Sequence, residues 1–435
     1  MPNKEKVLII SYYWPPSGGP GVQRWMKFVK YMPLFGLQPV VVTVDPYQAT
    51  YPVTDPGLAQ EVDPSVQVYK TPTREPYALY KKIFRKKQVP YSGFTNEGNE
   101  GISSALSRFI RGNLFIPDAR KGWNPYAVRK AAQLIEQCNI KLLITTSPPH
   151  STQLAGLKLK SLFPHLKWIA DLRDPWTDIF YYQKMHHLPF ARKLDLALEK
   201  SVLNKADVVV TVSDHLKSIF EKKQNEGHPS PLVVIPNGFD PDDFQGFNVE
   251  PEKGIFTIGY TGTLSDSYNL SAFIKALERL LSKGNYNLRM NVAGHISSQW
   301  SDKLSDVLVG RLVNQGHVNH RQAIGTMLQS DLLLLVIPQM QQNEGIITGK
   351  IFEYLAARRP VLGIGPLKGD AASVLGQTKS GRMFDFDDHE GIENFLLDFM
   401  EGKSRFEPDF NMVNSYSRKA LTSKLASIAS DLLLE

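Results

Sequence analysis

The sequence predicts an α/β protein of two doubly wound, Rossmann-like domains, each built on a parallel sheet. Two observations carry the prediction. Short β-branched runs alternate with helix-length amphipathic segments, and that rhythm lapses near residue 245 before restarting at residue 256. A third observation is length: 435 residues exceed the roughly 100–200 that one domain ordinarily takes.

In the first half the strand candidates are Val7–Ser11, Pro39–Val44, Lys141–Thr146, Lys167–Asp171, Asp207–Val212 and Leu232–Pro236. In the second they are Phe256–Thr261, Leu288–Ala293, Asp331–Ile337, Pro360–Ile364 and Arg382–Phe386. Between the halves, Asn237 to Phe244 and the polar stretch to Lys253 are rich in turn residues and lack periodicity, which marks a linker. The expected domains are therefore residues 1–245, 246–412 and a terminal segment 413–435. In that segment Leu421, Leu425, Ile428, Leu432 and Leu433 form a helical stripe that returns to the first domain. Residues 73–124 break the rhythm and are expected as an insertion.

Composition narrows the class. With 42% hydrophobic and 21% charged residues the chain is a folded protein rather than a disordered one. Its single cysteine, Cys138, rules out an intrachain disulfide and a multi-cysteine metal site, in keeping with a reducing cytoplasm. The first apolar run ends at Pro15 and Pro16, too short to cross a bilayer and without a cleavage signal, so it is read as a strand. A net charge of +7 suits anionic ligands, and equally suits mere solubility.

The chemistry-bearing residues fall where strands end. After the first strand, Pro15-Pro16-Ser17-Gly18-Gly19-Pro20-Gly21 feeds a helix, a geometry that binds phosphate or admits a ligand to the backbone; it is also an ordinary turn, and its spacing is not the dinucleotide fingerprint. The run Ser147-Pro148-Pro149-His150 ends another strand, so His150 either contacts a sugar hydroxyl or phosphate, or hydrogen-bonds a helix N-terminus. Asp171-Leu172-Arg173-Asp174 concentrates charge at a strand end. Either Asp171 or Asp174 pairs with Arg173 as scaffold, or one carboxylate meets the acceptor and takes its proton, a role better suited to Asp174.

In the second half, Gly262 and Thr263 follow a strand and offer a glycine and a hydroxyl to a diphosphate, and Gly294-His295 ends the next strand in the same way. The segment Ile347-Thr348-Gly349-Lys350 leads into a helix, with Thr348 as its expected cap. Lys350 and Glu353 share one helix face, so the cation beside helix N–H groups suits a leaving diphosphate and the carboxylate suits a ribose diol. The plainer alternative is a surface ion pair.

Taken together, these segments resemble the family-4 glycosyltransferases. Ile235-Pro236-Asn237-Gly238-Phe239-Asp240 is similar to that group's interdomain signature, and Lys350-Ile351-Phe352-Glu353-Tyr354-Leu355-Ala356-Ala357-Arg358-Arg359-Pro360-Val361 to its donor helix. The resemblance implies the GT-B fold, two such domains facing a central cleft. It also implies a nucleotide-diphosphate sugar held mostly by the second domain, an acceptor held by the first, and retaining transfer without an essential metal or other cofactor. On that reading Glu353 contacts the ribose, Lys350 the diphosphate, and Gly18 and Gly19 face the donor. Three departures stand out. Gly345 replaces a usual glutamate, with Glu344 beside it, so the sugar is expected to be held by backbone N–H groups around Ile346 to Gly349. Gly262-Thr263-Leu264 replaces a G-R-L run, and a first-domain histidine is replaced by Asp171 to Asp174.

The expected donor residues are thus Gly18, Gly19, Gly262, Thr263, His295, Ile347, Thr348, Gly349, Lys350 and Glu353. The acceptor set is His150, Asp171, Arg173 and Asp174, with Lys350, Asp174 and His150 catalytic and no metal ligand. The expected partners are a nucleotide sugar and a glycan or lipid-linked acceptor. The expected place is the cytoplasm, at the inner face of the cell membrane if the aromatic and basic residues from Tyr77 to Lys87, with Phe109, Ile110, Leu114 and Phe115, meet lipid. Two other readings share these features: an epimerase or hydrolase of the same fold, and a basic membrane-surface or anion-binding module. Nucleic acid is not an expected partner, because no RNA-binding motif or helix-turn-helix accompanies the charge.

Overall fold

A computed structural model describes residues 4–75, 102–227, 229–284 and 286–434. The chain forms two compact units, one of Met1–Pro236 with Leu421–Glu435 and one of Asn237–Ala420. Each is α/β, with helices connecting strands of a parallel sheet, as the alternating pattern predicts.

The first unit holds β1 (Glu5–Ile10), β2 (Leu37–Val44), β3 (Gln67–Thr71), β4 (Leu142–Ser147), β5 (Lys167–Leu172), β6 (Val208–Thr211) and β7 (Leu232–Val234). They are ordered β3-β2-β1-β4-β5-β6-β7 and every pairing is parallel. Val7, Leu8, Ile9 and Ile10 are all fully buried because helices cover both faces of the sheet. One face packs Leu8, Ile10 and Leu143 against Trp123 and Trp168, the other Val7 and Ile9 against Trp25 and Phe28. Each such side chain contributes roughly 1.5–3 kcal/mol of transfer free energy. The helix Arg418–Leu434 joins the second face through Leu421, Leu425, Ala429 and Leu432, and Lys424 Nζ donates to Val234 O at 3.0 Å.

The second unit holds β8 (Phe256–Thr261), β9 (Leu288–Ala293), β10 (Leu312–Asn314), β11 (Leu332–Val336), β12 (Val361–Ile364) and β13 (Gly381–Phe384), ordered β10-β9-β8-β11-β12-β13 and again all parallel. Two strands escape the sequence pattern, β3 and β10. Both lie at a sheet edge, where one-sided burial leaves no long apolar run to read.

The expected linker is divided between the units. Pro236 ends the first, while Phe239 is already part of the second: its N–H donates to Tyr416 O at 3.1 Å and its side chain is in that unit's core. Within the expected insertion, a helix runs from Ile102 to Leu114, and Lys121–Trp123 forms a 3-10 turn that buries Trp123. Tyr77 to Lys87 lies outside the described residues. No described helix is long and apolar enough to cross a membrane.

In each sheet the winding reverses once, between β1 and β4 in the first unit and between β8 and β11 in the second. Open α/β sheets bind ligands beyond the carboxyl ends of the strands at that point. The loops leaving β1, β4, β8 and β11 carry Gly18 and Gly19, His150, Gly262 and Thr263, and Ile347 to Gly349, respectively.

Candidate active site

In the second unit the site is assembled around Lys350. It lies in the first turn of the helix Gly349–Ala357, whose leading N–H groups have no carbonyl four residues earlier to bond, although Ile351 N donates to Thr348 O at 3.2 Å. Its ammonium donates to the Tyr260 hydroxyl at 2.6 Å and stands 4.3 Å from the Tyr260 ring centroid and 5.9 Å from that of Tyr268. The Tyr260 hydroxyl in turn donates to Thr263 O at 2.8 Å, so the lysine is tied to the β8 loop through one phenol. Among the described residues that phenol is its only polar partner. Burial therefore pushes the ammonium down from its ordinary value to about 7, against the pull of the Glu353 carboxylate one turn along the helix.

The glycines beside it are required by space. Gly262 has φ 99°, and a Cβ there would lie 3.2 Å from Lys350 Nζ. Gly294 has φ 143°, and its Cβ would lie 2.0 Å from Gly262 O, so the loops after β8 and β9 meet backbone to backbone. Thr263 is exposed, as is His295, whose carbonyl accepts from Leu264 N at 2.7 Å. Ile347 is half-buried against the core, and Gly349 is exposed at the helix start. Thr348 occupies the cap position, yet its hydroxyl does not close the expected capping bond; Oγ1 is buried without a hydrogen-bond partner. Gly262, Thr348, Gly349, Lys350 and Glu353 are thus held by the β8 loop and one helix, with His295 following the glycine packed on Gly262.

Glu353 does not stand alone. Its Oε1 lies 2.9 Å from His320 Nε2, at the start of the helix His320–Leu328. That helix opens with a capping box from Asn319 and Gln322, a signal legible in the sequence, but nothing local says that His320 meets a residue 33 positions away.

In the first unit, two of the expected acceptor residues are scaffold. Asp171 is fully buried: its carboxylate accepts from Arg24 Nη2 at 2.9 Å, Trp25 Nε1 at 2.7 Å and Thr146 Oγ1 at 2.8 Å. No oxygen is left to face an acceptor. Arg173 does not form the expected close pair with Asp171, its Nε standing 4.0 Å from Oδ2; it donates to Ser147 O at 2.9 Å and Gly21 O at 2.8 Å. Together Arg24, Asp171 and Arg173 clamp the helix Pro20–Tyr31 onto the ends of β4 and β5. Gly18 is also committed: its N–H donates to Val53 O at 2.9 Å, so it does not serve a phosphate, and Gly19, at φ 99°, turns the chain into the helix.

Burial shifts the titration of both Asp174 and His150. Burial raises the Asp174 carboxyl, with Arg173 opposing and Asp171 adding to the shift. His150 stacks on Trp176 with ring centroids 5.0 Å apart and planes 13° from parallel. Burial, reinforced by Arg173 and Lys223, depresses its imidazole to about 3, so it is neutral at physiological pH. Its side chain does not cap the following helix Ser151–Leu162, and Nδ1 is buried without a partner. The expected bond to the helix N-terminus is therefore not made, and the neutral imidazole is suited to hydrogen bonding instead.

Residues 84–243 match the model of Glycosyltransferase Family 4. TuaH of Bacillus subtilis, assigned as a glycosyltransferase of teichuronic acid biosynthesis, is 23% identical over 215 residues, covering 47% of this chain and 52% of TuaH. The chain thus spans about half the length of the curated relative it matches. Anabaena HepE, solved in complex with UDP, superposes with a TM-score of 0.60 at 12% identity over 98% of this chain and 100% of its own. Sucrose-phosphate synthase from Thermosynechococcus elongatus gives 0.61 at 12% identity, over 99% and 100%. Residues 84–243 are thus similar to the family-4 glycosyltransferases, and the chain has the GT-B fold. At those identities the structures speak for the fold alone, and the family model for residues 84–243.

Proposed function

We propose that the protein transfers a sugar, with retention, from a nucleotide-diphosphate sugar to an acceptor hydroxyl in the synthesis of a polysaccharide or glycolipid. The observation that carries the proposal is Lys350: a half-buried ammonium without a carboxylate partner among the described residues, beside Gly262 and a helix N-terminus. An anion completes that arrangement, and a leaving diphosphate supplies it at the moment its bond to the sugar breaks. HepE has been solved with UDP and with UDP-glucose, which supports a donor of this class. Glu353 takes the ribose diol, sharing its carboxylate with His320. The acceptor is held by the first unit, where Asp174, its carboxyl raised by burial, receives the acceptor proton in this scheme. Lys350 and the helix N–H groups supply the positive charge the leaving group needs, so chelators leave activity intact in this account.

Replacing Lys350 by Ala tests the assignment. Turnover should fall by roughly 10²–10³, as when one preorganised oxyanion donor is removed, while KM for the donor moves far less. Unchanged turnover removes Lys350 from the mechanism.

A further inference from the structure

The first unit contains a cavity of about 110 Å³ that the transfer scheme above does not use. Since a single water needs only roughly 10–15 Å³, the cavity has room for a small ligand ring. Its walls come from the helix Ile102–Leu114, the loop after β4 and the segment from Trp176 to His187. The fit between these parts is close. A Cβ on Gly112 would lie 2.7 Å from Met185 O, and Asn113 bridges to the backbone of His186 and Leu188.

The lining is aromatic and electrically balanced. Tyr13, Phe115, Trp176, Tyr181 and Tyr182 face it, with Arg111 and Arg120 set against Asp118 and Asp195. Both carboxylates are already committed. Asp195 accepts from Trp176 Nε1 at 2.7 Å and Tyr182 Oη at 3.0 Å, while Asp118 accepts from Ser151 N and Ser151 Oγ, each at 2.8 Å. Arg120 donates to Thr50 O at 3.3 Å and lies over the rings of Tyr12 and Tyr13. Among the buried polar atoms of the lining, His150 Nδ1 is without a hydrogen-bond partner, on a ring that faces the cavity. A buried polar atom left so is unfavourable, and a ligand hydroxyl would satisfy it.

We propose that this cavity seats one neutral pyranose, with its C–H face against the aromatic wall and a hydroxyl on His150 Nδ1. Aromatic faces suit the apolar side of a sugar ring, and the balanced lining disfavours an anion. The transferase reading enters at one point only, in making that pyranose the terminal sugar of the acceptor.

Saturation-transfer NMR tests it, with methyl glycosides of glucose, galactose, N-acetylglucosamine and glucuronic acid on wild type, His150→Phe and His150→Gln. Phe keeps the stack on Trp176 and removes the nitrogen; Gln keeps a polar atom. At least one neutral glycoside should bind wild type, with saturation strongest at its ring C–H protons. Affinity should drop about tenfold in His150→Phe and recover in part in His150→Gln. Nucleotide-sugar thermal shifts should be equal in all three, so failure of the donor reading would show separately. The proposal is overturned if no neutral glycoside binds, if the glucuronide binds best, or if His150→Phe binds as wild type does. Should His150→Phe not fold, the ¹⁵N resonance of His150 Nδ1 in wild type is read instead: it should shift on saturation with the glycoside, and an unmoved resonance overturns the proposal.

Discussion

Donor binding should take up a proton, and Lys350 sets how much. In the free protein its ammonium titrates at about 7, well below the ordinary value of 10.5. At pH 8 about nine in ten molecules therefore carry it neutral, and at pH 6 about one in ten. A diphosphate beside it restores the charge, so binding consumes about 0.9 proton at pH 8 and about 0.1 at pH 6. The sign follows from which form binds. The charged lysine holds the anion, so affinity is complete below pH 7 and is lost as pH rises through 7, by about tenfold or 1.4 kcal/mol per unit until the bound lysine itself titrates. Titration calorimetry in buffers of different ionisation enthalpy, using the first nucleotide sugar that stabilises the protein, measures the uptake directly. A nucleotide-diphosphate sugar loses no phosphate proton in this range, and Lys350→Met should abolish the slope. Donor binding at pH 8 without proton uptake, or with the same slope in Lys350→Met, refutes the reasoning.

Other outcomes follow from the first unit. Asp171→Ala leaves the Arg24 guanidinium buried and uncompensated, which should cost about 3–5 kcal/mol, whereas the paired change Arg24→Met with Asp171→Leu should cost far less. Thermal or urea unfolding of the two variants checks this, and equal losses would deny the clamp. A peripheral membrane contact is a further proposal. Phe109 and Leu114 are exposed, and Lys81, Lys82, Arg85 and Lys86 lie outside the described residues. Binding to anionic liposomes should weaken with salt and vanish when those four cations are neutralised; binding indifferent to their loss would rule the segment out.

Much of the fold was legible because a doubly wound sheet writes its strands as buried apolar runs, as at Val40 to Val42 and Leu332 to Val336. The strand ends then locate the loops, and the reversal of winding selects Gly262, Lys350 and His150 among them. What the sequence concealed is pairing at long range. Asp171 and Asp174 look alike in a charged tetrapeptide, and only Arg24 and Trp25, nearly 150 positions earlier, make the first a buried clamp. The Tyr260 phenol beneath Lys350, 90 positions away, is of the same kind, as is His320 at Glu353. The cavity was hidden for another reason. Trp176, Tyr181 and Tyr182 sit in an irregular loop, where no periodicity separates a ligand wall from core packing.

The central claim is a nucleotide-sugar site built on Lys350 and Glu353. A thermal-shift screen of the purified chain against UDP-, GDP-, dTDP-, ADP- and CMP-sugars, without added metal, tests it most directly, since a ligand of the native state raises its melting temperature. The account predicts that one nucleotide-diphosphate class stabilises wild type and that Lys350→Ala and Glu353→Ala respond less. Stabilisation by none, or the same shift in both variants, would contradict it.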